Sequence, residues 1–171
     1  MIFSSTVHGK LEYTEDDVYT FEKGILGFTQ LTKFMLVDLK EYIPFKLLQS
    51  LEDENVGIIT VSPYEFFEEY EIKLSKETVK NLKIESPGDV TIITTVTLNS
   101  DPSRVTTNLQ GPIVINNKNH LAEQIIIDDQ KYKIKQPLIK EWLNANNYEK
   151  KRSVAHDRRW HRNNCQQNRR W

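Results

Sequence analysis

The chain has 171 residues, a length typical of one domain and sufficient to bury a core without a metal ion or a disulfide. Hydrophobic residues make up 38% and charged residues 27%, a globular composition without an apolar run near the ~20 residues of a membrane helix. The start of the chain lacks the pattern of a signal peptide. Cys165 is the single cysteine, which excludes an internal disulfide and fits a reducing cytosol.

The net charge of −1 conceals two parts of opposite sign. Residues 150–171 hold eight of the 23 basic residues and one acid, a net charge of +7, which leaves −8 on residues 1–149. We therefore predict an acidic domain at 1–149 and a basic tail at 150–171 that is disordered because it has no apolar periodicity. The tail resembles either a nucleic-acid arm, with Arg and Trp for phosphate contact and stacking, or a non-native addition. The abrupt change of composition favours the second.

The first third of the chain is predicted to form short strands. Five runs rich in apolar and β-branched residues indicate them: 2–9, 17–21, 33–39, 44–51 and 56–63. Between the second and third lies "GILG", with Gly24 and Gly27. It matches neither a dinucleotide fingerprint nor a P-loop, so we predict a bend between two strands, with Phe28 and Phe34 packing inward.

Two short helices are predicted next. "SPYEFFEEY" has Ser62 as a helix cap, Pro63 at the first helical position and Glu65 completing a capping box. "SKETVKNL" begins with a second candidate cap, Ser75.

Strands are predicted again in the second half of the chain. The run 89–99 is rich in Thr, Ile and Val, and a hairpin is predicted with strands at 113–115 and 121–127. A turn at Asp128 and Asp129 precedes a strand with Tyr132 and Ile134 on one face, and 139–150 suggests a last helix. The predicted fold is mainly β: a closed or nearly closed antiparallel β-barrel-like domain with two or three short helices.

Residues with catalytic or metal-binding chemistry are sparse. His8 and His120 have no metal-ligand spacing, Cys165 lies in the tail, and the paired acids are typical of solvated turns. We therefore predict no enzyme activity, no metal and no cofactor.

The stretch 62–71 combines aromatic and acidic residues. In a helix, Phe66 and Tyr70 would share one face, and Tyr64 and Phe67 another. One interpretation places one pair in the core while the other shields a loop. The alternative is an aromatic contact surface rimmed by acids, as in protein interfaces.

Several motifs in order resemble one known family. They are Phe21 with 24–28, then "PFKLLQS" at 44–50, "ITVSPYEFFEEYE" at 59–71, "NLQGPIVIN" at 108–116 and a Gln124–Leu138 ending. Together they are similar to the FliW family, the flagellar assembly factors of bacteria. The resemblance covers about residues 1–140 and leaves the tail outside.

The resemblance implies a non-enzymatic cytoplasmic protein with two competing partners, flagellin before export and CsrA, a small RNA-binding repressor of flagellin translation. It implies that the protein is held by flagellin, is released when flagellin is secreted, and then stops CsrA from silencing flagellin mRNA, in a non-competitive mode. No direct binding of nucleic acid or of membrane is expected.

Charge fits this expectation, because an acidic domain is steered toward the positive surface of an RNA-binding protein and repelled by RNA itself. For flagellin we expect capture of helical segments in an apolar groove. The rival hypothesis is a nucleic-acid-binding β-barrel with the Arg/Trp-rich tail as its arm.

Two stretches that are near each other in sequence are the predicted partner-binding residues, chosen for their acidity and aromatic content. The first comprises Leu48, Gln49, Ser50, Glu52, Asp53 and Glu54. The second comprises Tyr64, Glu65, Phe67, Glu68 and Glu69.

Overall fold

The computed structural model describes residues 1–138, which form eleven strands and one α-helix. The strands are β1 (Ile2–Ser5), β2 (Gly9–Glu12), β3 (Val18–Phe21), β4 (Lys33–Asp38), β5 (Lys46–Ser50), β6 (Gly57–Val61), β7 (Val90–Thr97), β8 (Thr106–Thr107), β9 (Ile113–Asn116), β10 (Leu121–Gln124) and β11 (Gln136–Pro137). The helix is α1 (Lys76–Asn81), and short 3-10 turns occupy Glu15–Asp17, Lys40–Tyr42, Pro63–Glu65, Pro87–Asp89 and Pro102–Arg104.

Seven strands close into a barrel. Their order is β7, β6, β5, β4, β3, β10 and β9, and β9 pairs with β7 to complete the ring. Its pairings are antiparallel except at β3 and β10, which run parallel through Thr20 with Leu121 and Phe21 with Ala122. β8 extends the sheet from β7, and β11 pairs with β8. The predicted fold class, a mainly β, closed or nearly closed barrel-like domain, is confirmed; of the two or three short helices predicted, the described residues form one α-helix.

The barrel interior is filled by aromatic and β-branched side chains. Phe21 and Phe34 are fully buried and meet edge to face, with ring centroids 5.1 Å apart. Along β7 and β9, Ile93 and Ile115 point into this core, whereas Ile92 and Val114 join a second apolar cluster on the other face. Successive side chains of a strand point to opposite faces, so both strands carry apolar residues on both faces because both faces are covered.

The "GILG" stretch is the bend that the sequence predicts. It joins β3 to β4, and Ile25 and Phe28 form an isolated bridge across it. Gly24 has φ +65°, and a Cβ there would lie 2.6 Å from the carbonyl oxygen of Phe28. Glycine therefore serves to let the backbone turn back on itself closely. Phe34 is fully buried and Phe28 packs, half-buried, against the same cluster.

Three local predictions are wrong in their details. The helix expected from Ser62 is one 3-10 turn, Pro63–Glu65, and the Ser62 side chain makes no capping hydrogen bond. β10 ends at Gln124, because the chain beyond it bonds irregularly, with Ile125 N donating to Pro112 O at 2.9 Å.

The third concerns the expected strand through Tyr132 and Ile134. No strand is formed there, since Tyr132 lies in a turn in which its N–H donates to Asp129 O. The two side chains do not share a face: Tyr132 is buried and Ile134 is exposed. The last predicted helix at 139–150 and the tail at 150–171 lie outside the described residues.

The second predicted helix, α1, starts where the sequence indicates. Ser75 Oγ caps it by accepting a hydrogen bond from Thr78 N at 3.0 Å. In residues 1–138, no helix has the length and apolarity needed to cross a bilayer.

Candidate partner-binding surface

The stretch 62–71, here called the aromatic–acidic segment, leaves the end of β6 and crosses the outside of the barrel. Pro63 fixes the start of its 3-10 turn, and Phe67 N donates to Pro63 O at 2.8 Å. The turn does not continue as a helix because the aromatic side chains of the segment are buried in different apolar clusters.

The aromatic side chains of this segment separate into two clusters. Phe66 is buried with Val61, Val96 and Leu138, and Tyr70 is buried with Leu109 and other residues of the second cluster. They therefore do not share a face, contrary to the helical prediction. Tyr64 and Phe67 are half-buried and pack against the Tyr70 cluster. The aromatic rings anchor the segment and leave only partial faces exposed.

Two tyrosine hydroxyls fix the end of the segment to the barrel. Tyr70 Oη donates to Leu109 O at 2.8 Å. Tyr132 Oη accepts from Glu71 N and donates to Glu71 O, both at 2.9 Å. The rings of Tyr70 and Tyr132 meet edge to face at 4.8 Å. These contacts of Tyr70 and Tyr132 were not predicted from the sequence. The sequence signal for them is Tyr132, the one aromatic residue among the lysines of 131–135.

Burial of these phenols changes their acidity. Burial raises the pKa of Tyr64 to about 12, with smaller contributions from Tyr132 and Glu71. The pKa of Tyr70 is raised well above its usual range by burial, and nearby Tyr64 and Tyr132 add to the effect. Both side chains stay neutral at physiological pH, so the charge of the segment comes from its carboxylates.

The carboxylates form the solvent-facing part of the segment. Glu65, Glu68 and Glu69 are exposed. The adjoining turn, held through Tyr132, exposes Lys131, Lys133 and Lys135, a basic border that the sequence prediction did not anticipate. The surface is thus acidic at the Glu65–Glu69 end and basic beyond Glu71.

The first predicted stretch has a different role in the structure. Leu48, Gln49 and Ser50 are fully buried. Gln49 Nε2 donates to Val56 O at 2.9 Å, and also to the carbonyl oxygens of Ser50 and Asp53. Ser50 Oγ accepts from the amides of Glu52 and Asp53. These side chains hold the β5–β6 turn in shape and present no surface to a partner.

Carboxylates of that turn also accept hydrogen bonds from within the protein. The Glu52 carboxylate accepts from the backbone amides of Lys33 and Thr32, which lower its pKa. Asp53 Oδ1 accepts from Asn55 N at 2.9 Å. Glu54 is exposed, and its carbonyl oxygen accepts from Thr6 N at 3.1 Å. The exposed carboxylates here are those of Glu52 and Glu54.

The structure does not bring the two predicted stretches together. β5 and β6 are antiparallel, with Gln49 opposite Gly57 and Lys46 opposite Thr60. The turn 51–56 follows one end of this pair, and the aromatic–acidic segment begins at the other. A five-residue strand spans roughly 16 Å, so the two stretches are separate surfaces. Their role in partner binding stays a prediction.

Across the described residues, no group of three or more His, Cys, Asp and Glu side chains is placed to hold a metal ion. The barrel presents an acidic segment anchored by buried rings and by hydrogen bonds of two tyrosine hydroxyls. Fold and surface thus define a class of protein: a single closed β-barrel that carries an anchored acidic segment on its outside.

Comparison with known proteins gives the family. The sequence model described as "FliW protein" matches residues 2–138. The flagellar assembly factor FliW of Clostridium beijerinckii is 61% identical over 141 residues, which cover 82% of this chain and all of the relative. That of Clostridium tetani is 46% identical over 134 residues, covering 78% of this chain and 92% of the relative.

A solved structure agrees with the sequence relatives. The crystal structure of a flagellar assembly factor FliW superposes with a TM-score of 0.74 at 35% identity, covering 81% of this chain and 96% of that one. The chain belongs to the FliW family.

Proposed function

We propose that this protein is a flagellar assembly factor that binds flagellin in the cytoplasm and, once released, binds CsrA and prevents it from repressing flagellin translation. Membership of the FliW family supports the first part. The observation that carries the CsrA part is charge: residues 1–138 hold 14 Lys and Arg against 21 Asp and Glu, a net charge of −7.

The sign of that charge favours a protein partner over RNA. An RNA-binding protein needs positive surface for phosphates, and an acidic domain is attracted to such a protein and repelled by its RNA. Within the barrel surface, Glu65, Glu68 and Glu69 are exposed on an anchored backbone, so binding would not have to order a flexible loop. We assign the first contact with CsrA to this end of the aromatic–acidic segment.

The test is a charge reversal with a matched control. Glu65→Lys, Glu68→Lys and Glu69→Lys together are expected to lower the association rate with CsrA about tenfold at low salt and to flatten its salt dependence. Reversing three other exposed acids, Glu15, Glu22 and Glu41, changes the net charge equally. Stopped-flow rates at several salt concentrations separate local from global effects. Equal rates for the two triple variants would remove the assignment to this segment.

We propose a non-competitive mode of action, in which this protein binds CsrA at a surface away from the RNA-binding site of CsrA. Titration calorimetry of CsrA with this protein, in the absence and presence of a saturating flagellin leader RNA, tests it. The expected result is binding in both cases with an affinity change in the second. Complete loss of binding in the presence of RNA indicates direct competition.

For flagellin, the half-buried rings of Tyr64 and Phe67 are the apolar groups that an amphipathic helix could contact beside the acids. Phe67→Ala is expected to weaken flagellin binding, and Glu54→Lys, at the opposite end of β6, to leave it unchanged.

A gel shift with single-stranded RNA, using chains with and without residues 150–171, addresses the rival nucleic-acid hypothesis. RNA binding by the shortened chain would favour the rival.

A further inference from the structure

The N-terminal hairpin stands apart from the barrel sheet and leaves one strand edge free. β1 and β2 pair only with each other, and in their register Ile2 faces Glu12, Phe3 faces Leu11, and Ser4 faces Lys10. A two-stranded ribbon is only marginally stable by itself, and an unpaired edge offers a row of backbone donors and acceptors to another strand.

The hydrogen-bond pattern tells which groups face outward. Met1 N donates to Tyr13 O and Tyr13 N donates to Met1 O, so this pair exchanges both bonds. Because bonded and non-bonded pairs alternate in an antiparallel ladder, Phe3 and Leu11 also exchange bonds, whereas the amides and carbonyls of Lys10 and Glu12 point away from β1.

The two edges of the hairpin are not equivalent. On the β1 side, Thr6 N donates to Glu54 O at 3.1 Å, and Thr6 Oγ1 contacts Glu54 O and Asn55 Oδ1, so the β5–β6 turn covers one end of that edge. On the β2 side, Gly9, Lys10 and Glu12 are exposed, and among residues 1–138 neither Lys10 nor Glu12 has an ion-pair partner.

The sequence of β2 is complementary to itself. If two copies of β2 pair antiparallel about a twofold axis at Leu11, each Lys10 lies directly opposite Glu12 of the other copy. In that register the outward amides and carbonyls of Lys10 and Glu12 form the bonded pairs, and the two Leu11 side chains meet as the closer, non-bonded pair. Charge and backbone phase thus select the same register.

We propose that a second copy of this chain docks on the β2 edge, forming a twofold dimer through a four-stranded ribbon. The interface is isologous, as expected for a homodimer, and opposite charges directly across strands are favourable. The small contact predicts a weak dimer, with a dissociation constant of roughly 0.1–1 mM. This proposal does not depend on the proposed function.

A charge-swap series of the full-length chain tests the register. Lys10→Glu and Glu12→Lys each place like charges opposite each other twice, and each is expected to raise the dimer dissociation constant about tenfold. The double variant K10E/E12K restores both opposite-charge pairs and is expected to recover the original affinity. Lys40→Glu and Glu41→Lys, both exposed in another part of the fold, are the matched controls.

The readouts are sedimentation equilibrium from about 10 μM to about 1 mM and amide hydrogen exchange at both ends of that range. The Lys10 and Glu12 amides are expected to gain protection at high concentration while those of Ile2 and Ser4 do not. A monomer throughout the range, a double variant no better than the singles, or protection confined to Ile2 and Ser4 would each overturn the proposal. The last result would point to an extended partner on β1.

Discussion

At the scale of single residues, Gly24 and Gly27 share a positive φ but have different surroundings. Gly24 has φ +65°, and a Cβ there would lie 2.6 Å from Phe28 O, Thr29 Cα and Thr29 O. Gly27 has φ +89°, and nothing lies within 4 Å of its added Cβ. Gly24 is required both by its backbone conformation and by the lack of space for a side chain, whereas Gly27 is required by its backbone conformation alone.

This difference predicts unequal effects of alanine. Gly24→Ala is expected to cost about 3 kcal/mol of unfolding free energy, since the left-handed backbone and the backbone clash both oppose it. Gly27→Ala is expected to cost about 1 kcal/mol. Urea unfolding measures both. Equal losses would show that the bend relaxes around a Cβ at Gly24.

Individual serines give a second contrast that the sequence does not show. Ser62 and Ser75 both precede a predicted helix, but only Ser75 accepts a capping hydrogen bond, from Thr78 N. Ser75→Ala is therefore expected to lower the unfolding free energy by about 1 kcal/mol, and Ser62→Ala by less than about 0.5 kcal/mol. Thermal unfolding of the two variants checks this, and similar losses would contradict the structure.

At the scale of elements, the aromatic–acidic segment depends on its anchors. Tyr132 Oη makes both hydrogen bonds to the backbone of Glu71, across 61 positions of sequence. Tyr70 adds a further anchor through its hydrogen bond to Leu109 O. These two hydroxyls fix the end of the segment, and the buried rings fix the part that carries the exposed acids.

Removing one hydroxyl tests that dependence. Tyr132→Phe keeps the ring in the core and is expected to cost about 1–3 kcal/mol because it leaves the two Glu71 backbone groups without this partner. Faster hydrogen exchange at the Glu71 amide is the local readout. A control, Lys131→Ala, removes a neighbouring exposed side chain and is expected to leave that amide unchanged.

How well the sequence predicts an element depends on how the element packs. The run 90–97 is β-branched throughout because its two faces meet two apolar clusters, so its signal was strong. The aromatic–acidic segment carried a formal helix signature, but Phe66 and Tyr70 are buried in different clusters, which a helical spacing does not allow.

The predicted partner-binding residues differ in exposure for a related reason. Acidity identified Glu65, Glu68 and Glu69, which are exposed. The stretches around Glu52 and Glu68 are close in sequence, but one strand, β6, separates them in space. Polarity also suggested that Gln49 and Ser50 face a partner, but their hydrogen bonds are to the adjacent turn. A polar side chain that is buried and bonded to its own turn leaves no mark in a single sequence.

At the scale of the whole molecule, the buried phenols link stability to alkaline pH. The pKa of Tyr64 is raised to about 12, and that of Tyr70 is raised further. A raised pKa means that the folded state keeps its proton where the unfolded chain, with a tyrosine pKa near 10, loses it. Stability from this source is complete below about pH 10 and is lost as pH rises toward and beyond 12.

The expected result is a steep fall in the urea midpoint above about pH 10, accompanied by delayed tyrosinate absorption in the folded protein. Tyr70→Phe removes one of the linked groups and is expected to make the fall shallower, with some stability lost at neutral pH through the bond to Leu109 O. Tyr42→Phe, at an exposed position, is the control. An unchanged slope in Tyr70→Phe would contradict this origin.

The parallel pairing of β3 with β10 also has a consequence for synthesis. Thr20 and Phe21 meet Leu121 and Ala122, partners encoded about a hundred codons later. During translation the edge of β3 stays unclosed until that late segment has left the ribosome. Chains stalled before Leu121 would hold β3 to β7 and β9 as an open sheet, exposed to chaperones and proteases, and ring closure would be among the last steps of folding.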